Sequence, residues 1–301
     1  MTMNDFYFID TKAIEWENGL DSISKMAPEF RNNLGPADKL EETFSKYNMK
    51  LLRSDPLTTK RGELIHVTSG YADLTPSYHD SVEECLILEG ECYIHGEGTF
   101  RKGDYFWRPP GWVHWVESKN GFDAILFHEG TSEKEQSGPS SRRVRPNEEC
   151  GTNQLHREHD KAIGPRGWIK RLSTTLLQWQ PGAIFARSEG SLDHYDLNNA
   201  SFKVLSKNHV AGSQTLLVKL EKGYQQSQSG VHSASQEIFI LSGSVSIGKR
   251  IFKKGCYIYK KGGLVHPAMF SEEGSELLMK TDGLLDFEHN QYEKKQNEVY
   301  L

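Results

Sequence analysis

The chain has 301 residues, with 36 lysines and arginines against 41 aspartates and glutamates, a formal net charge of −5. That length accommodates two domains of ordinary size, each with its own core, while the mild acidity argues against nucleic acid as a partner, because a phosphate-binding surface needs a basic excess. No apolar run is long enough for a membrane span, and the N-terminus has acidic residues early and no apolar core segment of the signal-peptide type, so a cytoplasmic protein is expected.

Helical periodicity is convincing only near the start. Leu40, Phe44 and Tyr47, at spacings of four and three, predict an amphipathic helix over Ala37–Tyr47. Short apolar, β-branched or aromatic stretches follow at Leu64–Val67 and Cys85–Leu88, punctuated by Gly70, Gly90, Gly96, Gly98, Gly103 and Gly111. Thr131–Pro165 is rich in Glu, Arg, Ser and Pro and reads as a linker; its SRRVR cluster, residues 141–145, reads as a solvated loop rather than a phosphate site. Strand-like stretches resume at Leu216–Leu220 and Ile238–Leu241, with Gly223, Gly243, Gly248 and Gly255 between them, and the polar stretch Phe287–Leu301 reads as a frayed tail. Cys85, Cys92, Cys150 and Cys256 form no C-x-x-C pair, as expected of reduced thiols in a reducing compartment.

The two strand-rich halves are copies of one unit. Residues 50–90 align with 203–243 without a gap, bringing Lys50, Leu52, Leu64, Gly70, Tyr71, His79, Glu84, Ile87, Leu88 and Gly90 onto identical partners. After a one-residue deletion, Gly103, Tyr105, Val113 and His114 meet Gly255, Tyr257, Val265 and His266. Many short strands with regular turn signals predict an all-β sandwich or barrel in each half. The expected division is 1–130 for the first domain (barrel core about 50–130), 131–165 for the linker, and 166–301 for the second (barrel core about 203–283).

The repeat also keeps chemistry. His79, Glu84 and His114 recur as His232, Glu237 and His266. Two imidazoles and a carboxylate beside apolar strands are costly unless they are paired or bind a metal. With open positions, this set suits a first-row divalent ion, as in non-haem Fe(II) oxygenases. Adjacent strand residues face opposite ways, so Glu83 and Glu84 cannot both turn inward; the repeat favours Glu84, since Glu83 meets Gln236.

His79-x-x-x-Glu83-Glu84 leading to Gly90, then Gly103-Asp104-Tyr105 and Pro109-Pro110-Gly111-Trp112-Val113-His114, resembles the two cupin motifs. The second copy repeats the pattern through His232, Glu237, Gly243, Gly255 and Gly263-Leu264-Val265-His266, so the whole chain is similar to a bicupin. The style is that of cupins like acetylacetone-cleaving dioxygenase and of the anti-sigma-factor (ChrR-like) cupins. The resemblance implies a double-stranded β-helix, or jelly roll, in each half, with metal held in the barrel mouth. The family spacing favours Glu83 over Glu84, and both remain candidates. Ser77 and Gly230 stand where the family has its first histidine, and the second copy also lacks the proline of the second motif.

The metal ligands expected are thus His79, Glu83 or Glu84, and His114, with His232, Glu237 and His266 in the second half. Iron is the expected metal; zinc, manganese or nickel suit the same residues. His66 and His95, absent from the second copy, are candidate substrate-facing or catalytic groups, and Tyr93, Trp107, Trp112 and Trp115 candidate aromatic walls for an organic substrate. The expected activity is a dioxygenase acting on a small molecule that chelates through two oxygens. The alternatives are a non-catalytic binding or sensing module and a sugar isomerase, and edge-strand pairing would suit a homodimer.

Overall fold

The computed structural model describes residues 5–25, 28, 31, 34, 37–55, 60–79, 81–129, 141–143, 169–189, 196–226, 229–285 and 288–289. The chain divides into two compact units, Ile14–Thr175 and Met1–Ala13 together with Leu176–Leu301. Each is an antiparallel jelly roll organised around one long strand.

In the first unit that strand is Val82–Ile94. Its first half pairs with Phe122–Glu129 on one side and Asp104–Arg108 on the other. Its second half pairs with Gly98–Arg101 and His114–Ser118. One strand therefore serves both faces of the barrel, which requires a sharp bend. The bend lies at Gly90, which has φ of +72° and sits against the backbone of Gly121 and Phe122. A β-carbon on Gly90 would lie 2.4 Å from the Gly121 carbonyl oxygen. The second unit repeats the device in Gln236–Ile247, where a β-carbon on Gly243 would lie 2.0 Å from the Gly274 carbonyl.

Alternation along these strands sends Cys85 and Ile87, with Ile65, Val67, Phe106, Ala124 and Leu126 from neighbouring strands, into the first core. Each of the isoleucine, valine, leucine and phenylalanine side chains among them contributes about 1.5–3 kcal/mol by leaving water. Helices Gly19–Ser24 and Ala37–Phe44 pack Ile23 and Leu40 against Leu34, with Phe44 beside them. The second helix is shorter than Ala37–Tyr47, because Tyr47 already opens the strand Tyr47–Asp55, where its ring packs on Phe44 and Tyr71.

The unit boundaries differ from the expected domain limits at both ends. Strand Phe6–Asp10 adds to the second barrel beside Cys256–Lys260, and Ile169–Ser173 adds to the first beside Asp104–Arg108. Both cover strands that would otherwise be sheet edges. Neither lies inside the aligned repeat, so no internal comparison could assign them. Within 131–165, the backbone of Ser141–Arg143 pairs with Ser77–His79; the rest of that linker, including Val144, Arg145 and Cys150, lies outside the described residues. Of the expected tail, Glu288–His289 pairs with Gly230–Val231 and the remainder lies outside them. Among the described residues, no helix is long and apolar enough to cross a membrane.

Because Gly90 needs both its positive φ and its missing side chain, Gly90→Ala is expected to destabilise the chain by on the order of 3 kcal/mol. Urea unfolding measures this; a cost below about 1 kcal/mol would mean that the bend tolerates a side chain.

Candidate metal centre

Four neighbouring strands of the first barrel place one row of polar residues in register: Arg61 opposite His128, His128 opposite Glu83, and Glu83 opposite Arg108. The row turns inward and lines a cavity of about 190 Å³. His79, Ser77 and His114 join it from the strands Tyr71–His79 and His114–Ser118. The remaining lining is largely apolar, including Ile65, Ile94, Phe106, Val116 and Leu126.

His79, Glu83 and His114 each offer one donor atom, all within 4.8 Å of one another. His79 Nε2 lies 3.8 Å from Glu83 Oε1, and His114 Nε2 lies 3.7 Å from Glu83 Oε2. The Nδ1 of His114 lies 3.1 Å from the Trp112 carbonyl oxygen. A carbonyl only accepts, so Nδ1 carries the hydrogen and Nε2 carries a lone pair aimed at the carboxylate.

Protonation does not relieve this confrontation near neutral pH. Burial, only partly opposed by Glu83, lowers the His114 pKa to about 4. Burial also works against ionisation of Glu83, but the His114 and His79 imidazoles in their protonated forms, and the Arg108 guanidinium, outweigh it and hold the carboxyl below the ordinary range. Two electron-rich atoms thus face each other without a proton between them. The donor set fits a divalent transition ion, whose charge would occupy that gap.

Glu83 is the glutamate brought to the histidines. Glu84, one residue along, faces the other way and accepts a hydrogen bond from the Tyr105 hydroxyl. In the second barrel Tyr257 Oη donates to Glu237 Oε2 at 2.6 Å. The glutamate shared by the two copies is therefore a buried tyrosine partner, which removes Glu84 and Glu237 from the histidine clusters.

The second barrel brings His232 and His266 together, rings parallel and 4.9 Å apart. The row that corresponds to Arg61, His128, Glu83 and Arg108 reads Gln214, Thr281, Gln236 and Lys260, in the same register. Its cavity is only about 30 Å³. Phe202 and Leu216, at the positions of Met49 and Glu63, fill the interior, and Phe202 stacks on Phe185 at 4.2 Å. Among the described residues, the one His/Cys/Asp/Glu group with metal-binding spacing is in the first barrel.

The expected catalytic histidines are elsewhere. On Lys60–Val67 the residues Glu63, Ile65 and Val67 turn inward, so His66 faces outward, where its Nδ1 lies 2.6 Å from Asp123 Oδ1. His95 stacks on Trp115, 5.2 Å between centroids, and stands 3.5 Å from Glu117; it does not line the cavity. Of the four aromatic candidates, Trp115 lines the cavity, Trp107 and Trp112 are buried but do not line it, and Tyr93 is exposed. Sequence reasoning missed His128, whose ring lies 4.9 Å from that of His79, and missed Arg61 and Arg108. The signal for His128 was there: Phe122, Ala124 and Leu126 alternate inward, and His128 continues the series.

Comparison with known proteins accords with this geometry. Residues 195–285 match the family of ChrR cupin-like domains. A search of curated proteins returns no significant match. Among solved structures, a Nostoc punctiforme protein called a "putative dioxygenase" is 16% identical with a TM-score of 0.68, covering 93% of this chain and 83% of its own. The chain thus shares that protein's two-barrel fold, and its second barrel resembles the cupin-like family. Protein Ylba from E. coli shares the fold of this chain at 13% identity and a TM-score of 0.53, covering 92% of this chain and 90% of its own.

Burial also pushes His128 down, to about 3. Histidines in the unfolded chain bind protons near pH 6.5. Between pH 6.5 and 4 the unfolded state therefore holds more protons on His114 and His128 than the folded state, and stability falls as pH falls. The metal-free protein is expected to lose up to about 1.4 kcal/mol per pH unit for each imidazole in that window. Urea unfolding in chelator between pH 7.5 and 5 tests this; a flat profile would contradict neutral, buried imidazoles.

Proposed function

We propose that the first barrel is a mononuclear metal centre and that the protein is a non-haem iron dioxygenase acting on a small organic substrate that chelates through two neighbouring oxygens. The observation carrying the reading is the convergence of the His79, Glu83 and His114 donor atoms within 4.8 Å of one another, at the wall of a cavity large enough for a small molecule. His79, Glu83 and His114 would hold the ion. Bound there, iron would supply redox and Lewis-acid chemistry with open positions for substrate and dioxygen. Zinc, manganese and nickel suit the same donors.

The chain's own residues do the rest. The apolar walls formed by Ile65, Ile94, Phe106, Val116 and Leu126 exclude water and seat the hydrocarbon part of a substrate. Arg61, ion-paired to Glu63, and neutral His128 flank the ligand row and offer hydrogen bonds to substrate oxygens. The similarity to the Nostoc protein supports the oxygenase reading at the level of its name. A sensing role is the second reading, favoured by the family match to the second barrel, whose cluster has glutamine in place of the carboxylate. An isomerase would need a base at the metal, and neither His66 nor His95 supplies one. Three free buried thiols, Cys85, Cys92 and Cys256, support a reducing, cytoplasmic setting.

The test is elemental analysis of protein purified without a metal-affinity tag, followed by oxygen uptake with β-diketones and catechols after iron loading. One metal per chain is expected, falling to none in His114→Ala and rising towards two in Gln236→Glu, which gives the second barrel the missing carboxylate. Tight metal binding without oxygen uptake would shift the reading to the sensor. Unchanged stoichiometry in His114→Ala would refute the ligand set.

A further inference from the structure

The two ligands that face each other, Glu83 and His114, are also joined through a chain of buried side chains. Arg108 Nη1 donates to Glu83 Oε2 at 3.3 Å, and Arg108 Nη2 donates to Glu97 Oε2 at 3.0 Å. The other oxygen of Glu97 accepts from the Trp112 indole N–H at 3.0 Å. The backbone carbonyl of the same Trp112 accepts from His114 Nδ1. The circuit Glu83–Arg108–Glu97–Trp112–His114 is therefore open only between the two ligating atoms. Its side chains are buried: Arg108 is 1% exposed and Trp112 2%.

Local structure explains why these residues can meet. Arg108 ends the strand Asp104–Arg108, and the Pro109–Val113 turn follows. The turn is pinned at Gly111, whose N–H donates to the His79 carbonyl at 2.8 Å. Glu97 sits in the tight hairpin between Ile94 and Gly98, closed by its own N–H donating to the Ile94 carbonyl at 3.0 Å.

The second barrel is an internal control. It keeps the pinned turn, with the Gly263 N–H donating to the His232 carbonyl at 2.8 Å. It keeps His266 for His114 but lacks the other four members together: Lys260 stands for Arg108, Leu264 for Trp112 and Gln236 for Glu83, and the hairpin Gly248–Lys249 is one residue shorter and holds no acid. The fold thus does not need the circuit, which occurs where the carboxylate occurs.

We infer that Arg108, Glu97 and Trp112 are positioning residues that clamp Glu83 and His114 at a fixed separation and so set the affinity and geometry of the metal site. This rests on the metal-centre reading. An isolated Glu83 carboxylate would swing and rotate; a guanidinium anchored by Glu97 restrains it through the single hydrogen bond from Nη1 to Oε2. An imidazole fixed by a carbonyl keeps one tautomer and one ring plane. Trp112 ties the two because a single residue serves both. Groups of this kind outside the ligand set typically change metal affinity 10–100-fold when removed.

The experiment titrates cobalt(II), followed by its visible absorption, into metal-free wild type, Trp112→Phe, Glu97→Gln and the double variant. Trp112→Phe removes only the indole N–H and leaves the carbonyl to His114. Each single variant is expected to bind cobalt about 10-fold more weakly with a shifted spectrum, and the double variant no more weakly than the worse single. Far-UV circular dichroism of the metal-free forms should match wild type; if Trp112→Phe does not fold, Glu97→Gln alone carries the test. Wild-type affinity and spectrum in both single variants would overturn the clamp while leaving the metal centre standing. A wild type that takes up no cobalt would overturn the metal centre and the clamp with it.

Discussion

The first barrel is governed by a conflict of like polarity. An ionised carboxylate and an imidazole lone pair are held within 3.7 Å of each other in a buried wall, with the imidazole's only proton committed to a carbonyl behind it. Buried polar groups are tolerated when they are satisfied. Arg108 donates one hydrogen bond to Oε2, the oxygen that faces His114, and the lone pairs that remain on the carboxylate and the imidazole suit a positive charge of small size and high charge density. The whole row of Arg61, His128, Glu83 and Arg108 is arranged around that demand.

The jelly roll makes such an arrangement possible because one strand reaches both faces. Val82–Ile94 carries Glu83 at one end and, past the bend at Gly90, leads to the hairpin bearing Glu97. Antiparallel register then sets Arg108 and His128 on either side of Glu83 without any need for loop flexibility. Precision at the centre is a property of strand pairing, and helices Gly19–Ser24 and Ala37–Phe44 contribute by lining the cavity. The second barrel has the same pairing and bend but a filled interior, so its architecture is kept while the carboxylate and the larger cavity are not.

Much of this was legible in the residues. The internal repeat predicted two all-β halves, and His79 and His114 stood out by their spacing. The choice between Glu83 and Glu84 did not resolve, because two cues conflicted and they report different things. Identity between duplicated halves marks what the fold needs, here a tyrosine–glutamate pair; the family spacing marks what the site needs. Gln236 opposite Glu83 was therefore the informative difference. His66 and His95 misled because a residue absent from one copy can equally be a surface residue, and strand alternation would have turned His66 outward. Arg108 and Glu97 could not be found without coordinates, since their meeting depends on a hairpin and a turn that are distant in sequence.

The most direct measurement is anomalous diffraction from crystals of the metal-loaded protein, recorded at the metal's absorption edge. The account predicts one strong peak per chain, placed between His79 Nε2, His114 Nε2 and the Glu83 carboxylate, and none between His232 and His266. A chain with no peak in the first barrel after loading, or with the metal seated in the second, would contradict it.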